Sequence, residues 1–218
     1  STEDSEYDHQ CWSYAEAPLV TRLLVHPRLA VRFATLFTLA AVLFLVAWTL
    51  GYHWLPEGSL SGYSGVPAAV GRARAPTVFL EWLKLAGWNL IPMAAAVVAN
   101  MVFRVRGVPL GYVVVLIPAV NYGLTLGTNS FVFPMPERVA PSLIVFERAG
   151  PYEFAAMMLV AAATYALSRF EINSLAQTEW KRNPEARGLT PGEWLGVVLG
   201  VILLLGAAWR EASMIFDL

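Results

Sequence analysis

The chain of 218 residues holds one cysteine, Cys11, three histidines, His9, His26 and His53, and two lysines, Lys84 and Lys181, beside thirteen arginines. Each scarcity excludes something. A lone cysteine allows no intramolecular disulfide. Three histidines confined to the first 53 residues, without a cysteine cluster, provide no metal-ligand spacing. Two histidines facing each other from neighbouring helices, as a haem would need, are also missing, so His53 reads as an interfacial residue and no cofactor or metal is expected. No Gly-rich phosphate loop occurs. Charge is sparse, with 14% of residues charged and a net of -1, so nothing draws the chain as a whole to nucleic acid.

What the chain has in abundance is apolar sequence. With 57% apolar residues and a mean hydropathy of +0.54, a soluble domain of this length would have more apolar surface than it could bury. The excess is gathered into five uncharged blocks, Phe33 to Tyr52, Leu85 to Phe103, Gly107 to Pro136, Phe154 to Ser168 and Trp194 to Trp209. A helix crosses the bilayer core with roughly 20 apolar residues, so three blocks suffice alone and two need a little of their flanks. The expected fold is all-α, a polytopic membrane protein with five transmembrane helices. Its parts are an N-terminal tail with a short amphipathic elbow (1–30), a five-span domain (31–212) and a C-terminal tail (213–218). Because Glu3, Asp4, Glu6 and Asp8 stand where a leader would carry a basic tip, no cleavable signal is expected and the first span is expected to stay.

Lys and Arg are retained on the cytoplasmic side during insertion. With the N-terminus inside, Arg22, Arg28, Arg32, Arg104, Arg106, Arg169, Lys181, Arg182 and Arg187 fall inside and Arg72, Arg74, Lys84, Arg138, Arg148 and Arg210 outside, nine against six. Arg104 and Arg106 occupy a very short connection, where the rule has most force, so N-in and C-out is the expected orientation. Tyr52, Trp54, Trp82, Tyr152 and Trp209 at proposed outer ends and Trp194 at an inner end mark the water boundaries.

Leu19 to Leu24 reads as a short surface helix stopped by Pro27. The outer loop from Trp54 to Thr77 is rich in Gly, Ser and Pro. In Thr190-Pro191-Gly192-Glu193 a Thr hydroxyl and a Glu three residues on can satisfy free amides, so the fifth span should start there. Small residues recur at helical spacing: Gly123 with Gly127, Gly196 with Gly200 and Gly206, and a run of alanines from Ala155 to Ala166. In lipid such residues let backbones approach closely, so these faces should meet other helices, of this chain or of a partner.

Polar residues inside spans carry the functional question. Asn89 and Asn100 flank Pro92, and Asn121 follows Pro118, so both helices are expected to bend and to free carbonyls. The amides then either bond between helices or line a polar route. Glu153 opens a block too short to span without it, which draws a carboxylate toward the outer interface, where Arg148, Arg210 or an asparagine would be its partner or the helix dipole its support. Before it, the apolar piece from Ser142 to Phe146, bounded by Pro141, suits a re-entrant or surface-lying segment.

Five spans in this length, a long outer loop after the first, a tight basic turn after the second, and Gly150-x-x-Glu153 opening an alanine-rich fourth span together resemble the stage II sporulation protein M family. Asn89 in Gly-Trp-Asn-Leu, Asn121-Tyr-Gly and Glu211-Ala212 are further similarities, over roughly residues 30 to 215. The family often has Pro-His before that Gly, whereas this chain has Arg148-Ala149, so no role of that His is carried over. The resemblance implies a non-catalytic component of a prokaryotic cytoplasmic membrane that binds other integral membrane proteins. The partners open to it are an ATPase subunit, a wall hydrolase or a large redox or photosynthetic assembly.

Gly62-Tyr63-Ser64-Gly65 matches the Gly-x-Ser-Gly of rhomboid proteases, but no histidine follows His53 to complete the dyad. The scaffold or accessory reading therefore competes mainly with a permease-like subunit of a transporter, in which the same asparagines and Glu153 would line a pocket near the midplane.

Overall fold

The computed structural model describes residues 17–61, 74–131, 135, 137–143, 145, 149–172 and 180–217. Their order is α1 (Leu19–Leu24), α2 (Leu29–Trp54), α3 (Val78–Val102), β1 (Phe103–Val105), β2 (Val108–Pro109), α4 (Leu110–Gly127), α5 (Gly150–Ala163), a 3-10 turn (Tyr165–Leu167), β3 (Phe170–Ile172), β4 (Lys181–Arg182) and α6 (Pro191–Asp217). Four helices, α2, α3, α4 and α6, are long and apolar enough to cross a membrane, which makes this a multi-pass membrane protein. The fifth apolar block is a shorter helix, α5, of 14 residues, about 21 Å at 1.5 Å per residue.

Local signals set the boundaries. At the start of α3 the Thr77 hydroxyl accepts from the Leu80 amide at 3.3 Å, and Glu81 reaches back to the Ala75 amide at 2.7 Å. At α6 the Thr190 amide donates to Glu193 Oε2 at 2.9 Å and the Glu193 amide to Thr190 Oγ1 at 3.3 Å, the reciprocal cap expected from the sequence. The elbow forms as α1, with Leu19 exposed and Leu24 buried.

The basic turn after α3 is a β-hairpin. Arg106 at φ 48° and Gly107 at φ 79° both take the left-handed backbone that a tight hairpin requires. β1 pairs antiparallel with β2 and parallel with β3, and β3 pairs antiparallel with β4, giving the order β2-β1-β3-β4. This small sheet was not expected. It ties the α3–α4 connection to the α5–α6 connection at one end of the bundle, where α2 also begins: Tyr112, early in α4, donates to the Leu24 carbonyl at 3.2 Å, and Arg32, early in α2, donates to the Ala162 carbonyl at the end of α5 at 3.1 Å. At the other end Arg138 joins the last turns of α2 and α4, and the Gly58 amide donates to the Thr128 carbonyl at 2.7 Å. The five helices therefore alternate in direction.

α5 is the central helix, packed against all four long ones. Ala156, Ala161, Ala162 and Ala163 are fully buried with Met158, and Trp48 and Leu36 of α2, Val115 of α4 and Leu204 of α6 complete the core around them. Apolar side chains such as Val42, Ile91, Ile117 and Ile202 point outward from the long helices. Short alanine side chains suit the middle of such a bundle because they let four neighbours approach one axis.

One expectation changes in this region. The third block ends as a helix at Gly127, not Pro136, because Thr128, Asn129 and Ser130 are buried in a loop that packs against the end of α2. α3 and α4 run on as continuous helices through Pro92 and Pro118. Of the piece expected to be re-entrant, Val145 is buried while Leu143 is 80% exposed, and residues 144 and 146 lie outside the described residues.

Candidate functional site at the head of the central helix

Gly150 opens α5 against the ring of Tyr122, where a Cβ would come within 3.2 Å, and Pro151 sets the first turn. Glu153 follows in that turn, at the positive end of the helix dipole. Asn89 of α3 donates from Nδ2 to Glu153 Oε1 at 2.6 Å. The Glu211 carboxyl of α6 lies within hydrogen-bonding reach of the same group. Three residues singled out separately in the sequence thus meet where α3, α5 and α6 converge. Asn89 lies eleven residues, roughly 16 Å, along α3 from Val78, so the cluster is recessed well below the end of that helix. Beside it, Arg210 stacks over the Tyr152 ring at 5.4 Å and Trp82 meets Trp209 edge-on at 5.8 Å. Two carboxyls and an amide at this spacing can hold a proton among them. Among the described residues no group of three or more His, Cys, Asp or Glu comes together as metal ligands would.

The second polar centre lies at the sheet end. Asn100 of α3 is fully buried and donates to the Ala161 carbonyl at 2.9 Å and to Thr164 Oγ1 at 2.8 Å. Its Oδ1 meets no donor among the described residues and rests against Gly111, where any Cβ would collide with it. Ser168 Oγ donates to the Asn100 carbonyl and Asn183 Nδ2 to the Ser168 carbonyl, each at 2.7 Å. Next to this chain Arg32, 1% exposed, donates to Glu193 at 2.9 Å and to the carbonyls of His26, Pro27 and Ala162, while Arg187 holds the other Glu193 oxygen at 2.7 Å. Arg104 bridges Glu171 and Glu185 at 2.9 Å each; burial disfavours its charge, but those hydrogen bonds outweigh it and leave the guanidinium held above its ordinary range.

The glycines expected to pack helices do so within this chain, with one exception. A Cβ on Gly123 would come within 2.5 Å of the Phe44 carbonyl, and one on Gly127 would collide with the Trp48 carbonyl, so the α2 and α4 backbones touch. A Cβ on Gly196 would come within 3.2 Å of Ala163 and one on Gly200 within 2.5 Å of Val160, both of α5, whereas one on Gly206 would meet nothing within 4 Å. Asn121 is a second correction: it is exposed on the outer surface of α4 and bonds to none of the described residues. Arg148 and the Gly62 to Gly65 match lie outside the described residues.

Arg32, Arg104 and Arg138 matter to the structure yet entered the sequence reading only as markers of orientation. Arg138 donates from Nη2 to the carbonyls of Gly51, Tyr52, Leu55 and Gly127 at 2.7 to 3.1 Å, closing two helix ends at once. For Arg32 a signal was available, since an arginine inside the first turn of an apolar helix needs an acid close by. No protein-family model, curated protein or solved structure matches the sequence.

Proposed function

We propose that the chain is a non-catalytic scaffold or accessory subunit of a larger membrane complex, crossing a prokaryotic cytoplasmic membrane five times with its N-terminus inside. This is what its resemblance to the stage II sporulation protein M family implies. The observation that carries the reading is where two of the three span asparagines spend their hydrogen bonds: Asn89 on Glu153, and Asn100 on the end of α5. Groups bonded within the bundle hold helices together and are not spare for a substrate. The fifth crossing is α5 itself, which is enclosed by the long helices, runs opposite to α4 and α6, and needs less length than they do because it starts below the end of α3.

Purification of the tagged full-length chain in mild detergent tests the proposal. Co-recovery of other integral membrane proteins in fixed ratio is expected; a chain recovered with no membrane partner from gently solubilised membranes overturns it. A permease-like subunit of an ABC-type or other transporter is the second reading, favoured by the recessed carboxyl pair of Glu153 and Glu211. Glu153→Gln separates the two. The amide still accepts from Asn89 and can donate to Glu211, so a scaffold assembles and works normally, whereas a route that uses the carboxyl assembles but fails.

A further inference from the structure

The outward face of α4 presents Val113 and Ile117, 51% and 53% exposed, and then Asn121, at successive four-residue steps. Four residues is just over one helical turn, so the three form one stripe about 12 Å long. Asn121 lies six residues, about 9 Å, before Gly127 in a helix long and apolar enough to cross a membrane, which puts its amide inside the hydrocarbon layer. Thr35 and Thr49, also in a span, return their hydroxyls to the carbonyls of Val31 and Leu45 at 2.8 Å each. One such backbone bond would still leave an asparagine amide with a further N–H and its carbonyl unmet, and the Asn121 side chain bonds to none of the described residues. Leaving two N–H donors and a carbonyl acceptor among lipid tails is unfavourable, so another helix must meet them.

We infer that this stripe is the contact surface for a second copy of the chain, with the two Asn121 side chains hydrogen-bonded to each other across a two-fold axis. A primary amide is self-complementary: each copy donates one N–H to the carbonyl of the other, and the pair is satisfied without a residue from elsewhere. Val113 and Ile117 supply a ridge at four-residue spacing, which interdigitates with its own copy when two such helices cross. Gly123 and Gly127 are already occupied by α2, so this contact uses the opposite character, a polar clamp on a ridge of branched side chains. The inference needs α4 to lie in the membrane and does not depend on the accessory role.

Disulfide trapping in native membranes tests it. In the full chain with Cys11→Ser, Ile117→Cys is expected to form a cross-linked species of twice the chain mass under mild oxidation, while Val42→Cys, equally exposed at 51% on α2, stays monomeric. Adding Asn121→Leu to Ile117→Cys should cut the cross-linked fraction about tenfold, since the amide pair is the main attraction. A monomer at Ile117→Cys, a cross-link to a different protein there, equal trapping at Val42→Cys, or undiminished trapping with Asn121→Leu each overturns the proposal.

Discussion

The two ends of the bundle solve the same problem in different ways. At the sheet end, buried cations meet anions: Arg32 with Glu193, and Arg104 with Glu171 and Glu185. At the loop end, a cation meets carbonyls and an acid meets an amide: Arg138 closes the last turns of α2 and α4, and Glu153 sits in the first turn of α5 with Asn89. Arg138 thus stands at two negative helix ends and Glu153 at a positive one. Ion pairs between distant segments lock connections; helix-end electrostatics leave the acids less committed. The carboxyl pair of Glu153 and Glu211 thus lies at the loop end beside an amide and a helix start, while the acids of the sheet end lie against arginines.

The comparison breaks most visibly at Arg32. Arg32→Met leaves Glu193 to Arg187 and to the Thr190 amide and hydroxyl but strips the donor from three carbonyls, so it should cost about 3 kcal/mol, read as a lower midpoint of thermal unfolding in detergent. Adding Glu193→Gln should recover none of that loss, because Arg187 and Thr190 already hold the carboxylate and the orphaned carbonyls stay orphaned. A single variant as stable as the original chain would show that water already reaches this pair.

Next is Arg138. Arg138→Met orphans carbonyls at the ends of α2 and α4 that lie partly in reach of water, for about 2 kcal/mol. Arg138→Lys should restore at least half, since the four carbonyls converge on the single Nη2 and an ammonium can supply that nitrogen, while the Nε bond to Gly127 stays lost. Full rescue by lysine would mean that charge alone matters there.

At the other loop-end group, Glu153→Leu removes the acceptor for Asn89 and should cost about 1–2 kcal/mol, whereas Glu153→Gln should stay within about 0.5 kcal/mol. The same unfolding assay decides it. A glutamine variant as unstable as the leucine one would mean that the carboxyl itself, and not a hydrogen bond, holds α5 to α3.

These contrasts also explain what the sequence could and could not convey. Long uncharged blocks report helices directly, since backbone in lipid has few other choices, and the Thr190 cap reports its own position because its partners are three residues apart. Glu153 stood out for a physical reason too: its block could not span without it. The sheet was invisible because its strands are two or three residues long and β1 finds β3 from 67 positions away, as in Phe103 with Phe170. The Arg32–Glu193 pair bridges 161 positions, and hydropathy registers both members only as interruptions. The end of α4 was missed because the apolar run continues past Gly127 into a loop that is itself buried. Asn89 and Asn121 look alike in sequence, and only packing separates the one that faces Glu153 from the one that faces outward.

The smallest effect sharpens the account of the sheet end. Arg104 holds two acids, but the Glu185 side chain is 69% exposed while that of Glu171 is 25% exposed. An exposed partner gains little, because water competes for it and salt screens it. Glu185→Ala should therefore change stability by under about 0.5 kcal/mol and disappear into noise at high salt. Glu171→Ala should cost about 1 kcal/mol, since Glu171 also lies on β3 directly opposite Arg104 in the parallel pair, so its loss loosens both strands. Unfolding midpoints of the two variants at low and high salt check the order. Equal losses would mean that the two acids act as one shared counter-charge; a larger loss from Glu185→Ala would mean that the loop after β4, and not the β1–β3 pairing, is what Arg104 secures.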